Sequence, residues 1–209
     1  MRNILVGARF GQCRAVFSSH RQMEAQIILS AAKSALLAVD IQQKLLPAMS
    51  QPDEVITQST TLLKGADLLS IPVAVSEQYP AGIGATVDPV LQAASNPHVF
   101  EKLHFSCAAD AKIAAHMDKL KRSGRNQIVI CGIEAHVCVL QTALGFRERG
   151  YDVAVVVDAI SSRQPLSKET AIARLAMAGV IIVTTEMVLF EWLGKAGTDT
   201  FREALKLIR

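Results

Sequence analysis

The chain has 209 residues, half of them hydrophobic but only 5% aromatic, with a formal net charge of +3 and acids and bases interspersed. That length suits one well-buried aliphatic domain and is short for two, and the near-even charge offers no basic face for nucleic acid. No apolar run approaches the roughly eighteen residues that span a bilayer, so the expected partner is a small-molecule substrate, with no nucleic acid and no membrane.

In chain order, residues 1–23 hold Arg2, Arg9, Arg14 and Arg21 and no acid before Glu24, the composition of a mitochondrial presequence. A start at Met23 and an ordinary basic arm are the alternatives, and the apolar run Ile4–Val6 is too short for a secretory signal. Residues 1–29 are therefore set apart as an N-terminal extension from a domain over 30–209. Cysteines at 13, 107, 131 and 138 form neither a C-x-x-C pair nor a ladder of spacings, which argues against structural zinc and a disulfide framework. A soluble protein in the reducing cytoplasm is expected, or in mitochondria if the presequence is real.

Short aliphatic runs then recur at Ala35–Val39, Ile71–Val75, Val99–Phe100, Ile128–Cys131, Val153–Val157 and Val180–Val183. They are nearly continuous instead of alternating with polar residues, as strands covered on both faces must be. Helical patterns fall between and after them, over Asp53–Leu69, Ala109–Lys121, Val139–Arg149, Ser167–Ala178, Glu186–Leu193 and Asp199–Ile208. Asp53-Glu54 and Ser167-x-x-Thr170 serve as start signals. Strands alternating with helices predict an α/β three-layer sandwich around a six-stranded, mainly parallel, Rossmann-like sheet. The turn-rich stretch from Glu77 to Gly84 follows a strand and is expected to line a ligand crevice. Gly82-x-Gly84 lacks a following helix start, so no dinucleotide fingerprint is read there.

The segment from Ile128 to Cys138 carries the most chemistry: an apolar strand ends in Gly132 and delivers Cys138 to the start of a helical pattern. A helix start favours thiolate, and backbone N–H groups at such a turn can hold an oxyanion. If strand order follows the common 3-2-1-4-5-6 arrangement, the strand ending in Asp40 lies beside the one leading to Cys138. Asp40 would then accept the thiol proton, its pKa raised by burial, with Lys102 as the opposing cation.

Three pieces of sequence, Asp40-Ile41-Gln42, Phe100-Glu101-Lys102 and the run from Gly132 to Val139, resemble the isochorismatase-like cysteine hydrolases. The resemblance runs from about Leu36 to Val183, and blocks such as Ser76–Pro80, Cys131–Ala135 and Ser161–Arg163 are most similar to the isochorismatase domain-containing protein 2 group. It implies the isochorismatase-like hydrolase fold and an Asp40, Lys102, Cys138 triad cleaving a small amide or related C–N bond through a covalent thiol intermediate. It also implies a cis peptide at Ile133-Glu134, an oxyanion hole from the N–H groups of Glu134 and Cys138, and a homo-oligomer. Gln42, Gln78, Tyr79 and Ile133 are expected to bind substrate. No cofactor and no metal are expected, because the Asp-x-His metal site of the family's nicotinamidases is missing and no histidine lies between His20 and His98.

Other readings stand beside this one. The fold could serve a non-catalytic or weakly catalytic interaction protein, or a hydrolase that cleaves a vinyl ether. His136 or His104 could activate sulfur as in papain-like proteases. Cys131 and Cys107 are read as packing residues.

Overall fold

Aliphatic side chains cover both faces of the central strands, and this sets the layering. The computed structural model describes residues 28–208; the basic segment 1–23 and the start at Met23 lie outside the described residues. One sheet is built from β1 (Ser34–Val39), β2 (Val73–Gln78), β3 (His98–Lys102), β4 (Gln127–Ile133), β5 (Asp152–Ser161) and β6 (Ile181–Val183). Its order is β3-β2-β1-β4-β5-β6, with every neighbouring pair parallel, so the expected order is the observed one. β1 and β4 meet at its centre.

The helices are α1 (Pro52–Leu68), α2 (Pro80–Ile83), α3 (Asp88–Leu91), α4 (Ala111–Arg122), α5 (Leu140–Glu148), α6 (Pro165–Met177), α7 (Thr185–Leu193) and α8 (Asp199–Leu205). All six residues of β1 are buried. Leu36 and Ala38 join the layer formed with Leu62 and Leu63 of α1 and Leu189 and Trp192 of α7. Leu37 and Val39 join the opposite layer, with Ile113 and Met117 of α4, Phe146 of α5 and Leu175 of α6. Each fully buried Leu or Val contributes about 1.5–3 kcal/mol of burial, which explains why these strands are apolar on both sides. Leu29 is also buried, and its N–H donates to Glu191 Oε2 at 2.6 Å, so the chain joins the core before residue 30.

Several boundaries differ from the sequence reading. α6 starts at Pro165 with Gln164 as its N-cap, so Ser167 lies inside the helix; proline is suited to the first turn because no intrahelical bond needs its missing N–H. α2 is a single turn within the Glu77 to Gly84 stretch that reads as loop, and α3 is a further single turn after it. A π-helical turn over Ala135–Val139 precedes α5, so the helical path begins before Val139. β2 runs on through Ser76, Glu77 and Gln78, and β3 ends at Lys102, because polar residues continue the ladders past the apolar runs.

Candidate active site

The carboxyl ends of β1, β2, β3 and β4 converge on one buried polar cluster. Asp40 follows β1 with φ of +53°, a left-handed conformation that Asp tolerates better than most residues. Its N–H donates to Ser76 O at 3.0 Å, and its Oδ1 accepts from Ser76 Oγ at 2.7 Å. Lys102 sits opposite Gln78 in the β2–β3 register, which points its side chain across β2 toward β1. Lys102 Nζ lies 2.7 Å from Asp40 Oδ2, with both side chains fully shielded from solvent. Gln78 Oε1 accepts a second bond from Nζ at 2.8 Å.

Cys138 reaches the cluster from the π-helical turn, which sets its thiol beside the Asp40 carboxylate. Gly132 makes this approach possible: its φ is +120°, and a Cβ there would lie 2.0 Å from Val39 O. The following peptide bond, Ile133–Glu134, is cis. Asp40, Lys102 and Cys138 are thus brought together by four strand ends and one turn.

Burial raises the Asp40 pKa, opposed chiefly by the Lys102 charge and by hydrogen bonds from Lys102, Ser76 and Cys138. The Cys138 thiol is pushed up by burial and by the Asp40 charge, while Lys102 pulls the other way. This corrects the expectation of a thiolate favoured by a helix start. Lys102 already neutralises Asp40, and a second anion beside that carboxylate would be uncompensated, so the resting proton stays on sulfur.

The remaining residues divide. Gln42 is fully buried; its Oε1 accepts from Gln78 N at 2.7 Å, and its Nε2 donates to Gln78 O at 3.0 Å and Gly84 O at 2.6 Å. Its expected substrate contact is therefore replaced by a clamp on the segment between β2 and Gly84. Gln78 Nε2 donates to Leu103 O at 2.8 Å, so both ends of this amide serve to fix Lys102 and the chain after it. Ile133 is fully buried in the layer that includes Leu36 and Ala38, and its side chain is core. Tyr79 is half-exposed and lines a cavity of about 440 Å³ with Pro80, Lys102 and His104.

His136 Nδ1 pairs with Ser162 Oγ at 2.9 Å, and the titratable groups acting on the Cys138 thiol are Asp40, Lys102 and Cys107, with no histidine among them. The Cys–His arrangement is not the one observed. Glu134 Oε2 accepts from Arg163 Nε at 2.9 Å beside the cis bond. Cys131 is buried in the core, its thiol pushed up to about 12 by burial. Cys107 is buried behind the cluster, its N–H donating to Thr142 Oγ1 at 2.9 Å, and its thiol is pushed up to about 11 chiefly by burial. Ser76 had no role in the sequence reading; its signal was a small polar residue on the strand flanking Asp40. Among the described residues, no group of three or more His, Cys, Asp or Glu side chains could hold a metal ion.

The isochorismatase domain profile matches residues 34–187, which takes in this whole cluster. The chain belongs to the isochorismatase family. Two zebrafish relatives in the family are isochorismatase domain-containing protein 1 (38% identical over 87% of this chain and 62% of that protein) and isochorismatase domain-containing protein 2 (36% over 86% and 89%). The match to the first therefore spans less than two thirds of that relative's own length. A solved isochorismatase-like structure, the MAR1 ribonuclease from Caenorhabditis elegans, superposes with a TM-score of 0.81 at 37% identity, covering 87% of this chain and 92% of that one. The three-layer architecture is thus that of the family.

Proposed function

We propose that the protein is a cysteine hydrolase that cleaves a small amide or related C–N substrate through Asp40, Lys102 and Cys138. The observation that carries this reading is a buried thiol beside a buried carboxylate, one oxygen of which holds a buried ammonium. In the reaction, Cys138 gives its proton to Asp40 as sulfur bonds to the carbonyl carbon, and the π electrons move to oxygen. The N–H groups of Glu134 and Cys138 receive that oxyanion. Collapse expels the nitrogen, which takes the proton from Asp40 and leaves a thioester. Water then gives a proton to Asp40 and attacks the thioester; the acid leaves, and sulfur regains its proton.

Lys102 keeps Asp40 oriented. Its ammonium has three donors and two described acceptors, Asp40 and Gln78. The third donor is available to the substrate. The cavity beside Tyr79, Lys102 and His104 adjoins the strand end that carries Lys102. Cys138 is only 6% exposed, which favours a small reacting end.

Self-association belongs to the same reading, supported by the exposed Leu103, Phe105, Leu166 and Met177. Light scattering should give a multiple of 22.5 kDa; a monomer at micromolar concentration would remove this part of the proposal.

The test is a screen of purified protein against small amides, ureides, vinyl ethers and short RNA, with Cys138→Ala as blank. RNA is included because a relative is named as a ribonuclease. Hydrolysis of a C–N bond by the wild type alone supports the reading. Turnover confined to RNA or to a vinyl ether replaces the substrate class, and turnover surviving in the blank removes the mechanism.

A further inference from the structure

Ser76 grips Asp40 at two points. The backbone carbonyl of Ser76 accepts the Asp40 N–H at 3.0 Å, and its hydroxyl donates to Oδ1 at 2.7 Å. Ser76 is fully buried and sits opposite Val39 in the β1–β2 register, so the adjoining sheet ladder fixes its place. The groups facing Asp40 come from three further elements: Lys102 ending β3, Cys138 in the π-helical turn, and Cys107 in the 3-10 turn Cys107–Ala109. An ionised carboxylate only accepts hydrogen bonds, so the Ser76 proton must point at Asp40. The Cys107 thiol lies beside the Ser76 hydroxyl. Cys107 is itself held, its backbone N–H donating to Thr142 Oγ1 at 2.9 Å.

We propose that Ser76 is the positioning residue of the proton acceptor, its hydroxyl occupying one oxygen of Asp40 so that the carboxylate stays turned toward the Cys138 thiol. Lys102 holds the other oxygen, and the two donors together fix the carboxylate plane. When Asp40 takes the thiol proton, Ser76 keeps its own proton, and no further group is charged or discharged. This inference rests on the reading of Asp40 as the base.

The experiment measures alkylation of Cys138 by iodoacetamide, itself a small primary amide, across pH, with each cysteine followed as a separate peptide by mass spectrometry. In the wild type the rate should rise with pH along a limb set by Asp40 ionisation, and Asp40→Asn should abolish that limb, leaving only the later rise set by the thiol's own ionisation. Removing the Ser76 hydroxyl takes a donor from the carboxylate, favours its protonated form, and should move the limb upward by about one pH unit. Ser76→Ala tests this directly. Ser76→Cys fills nearly the same space with a weak donor and should shift the limb the same way if the alanine variant does not fold. Ser76→Thr, which keeps a hydroxyl, should restore the wild-type position. A limb that stays within about 0.2 pH units of wild type in Ser76→Ala or Ser76→Cys, with only its height changed, overturns the positioning role while leaving Asp40 as base. A limb that persists at its wild-type position in Asp40→Asn overturns both.

Discussion

Lys102 Nζ and Asp40 Oδ2 lie 2.7 Å apart with no solvent access to either side chain, although β2 separates the strand ends that carry them. A buried pair of this kind is poor evidence for net stability, since desolvation offsets much of its attraction. Removing one partner is a different matter, because the other charge is left without compensation. The pair is better understood as a device that keeps a carboxylate ionised and aimed beside a thiol.

Replacing Lys102 with Met should therefore cost about 3–5 kcal/mol at neutral pH, measured by urea unfolding. Burial already raises the Asp40 pKa above its ordinary 3.8 with Lys102 in place, and loss of the cation raises it further. Both folded states bind the proton more tightly than the unfolded chain, the variant more so, so the deficit should grow as pH rises from the wild-type folded value through the higher folded value of the variant. Adding Asp40→Asn should recover most of the loss. A single variant costing under about 1 kcal/mol would show that the pair is not buried as described.

Gln42→Ala tests the clamp. Its loss leaves Gln78 N–H and the Gly84 carbonyl without their side-chain partner, and a buried group left unpaired costs about 1–3 kcal/mol. Stability should fall by about 3 kcal/mol, with slower Cys138 alkylation because Gln78 and Lys102 loosen together. A normal unfolding midpoint with only a raised KM would restore Gln42 to the substrate.

The fold was largely legible, and the reason is visible in β1: six residues covered on both faces have to be apolar, so hydropathy alone finds them. The same signal stops short where the site begins. Ser76, Gln78 and Lys102 continue β2 and β3 as polar residues, so their strand positions cannot be read from aliphatic runs. Cys138 was found because a thiol after a glycine-ended strand is rare in kind, and Asp40 because it ends an apolar run. The buried places of Gln42 and Ile133 were hidden for a different reason. Whether an amide faces a ligand or the backbone depends on a loop that returns to it from Gly84, and whether Ile133 faces the site depends on the backbone path past Gly132.

Away from the site, Tyr151 donates its hydroxyl to Asp118 Oδ1 at 2.7 Å, and this bond, with the Arg149 contact, holds the Asp118 carboxyl below its ordinary 3.8. Tyr151→Phe should lower stability by about 1 kcal/mol at neutral pH. A depressed folded pKa contributes stability above the unfolded value that is lost as pH falls through the folded one. The difference between wild type and variant, followed by urea unfolding, should therefore shrink as pH drops below 3.8. A difference unchanged across that window would assign the cost to packing of the ring.

The central claim is that Cys138 forms a covalent bond to the substrate while Asp40 takes its proton. Rapid quenching of turnover with the best amide from the screen, followed by peptide mass analysis, tests it most directly. The account predicts an acyl mass on the Cys138 peptide in wild type, no adduct and no turnover in Cys138→Ala, and no adduct above background in Asp40→Asn. Steady hydrolysis by Cys138→Ala, or an adduct carried by Cys107 or Cys131 instead, would contradict it.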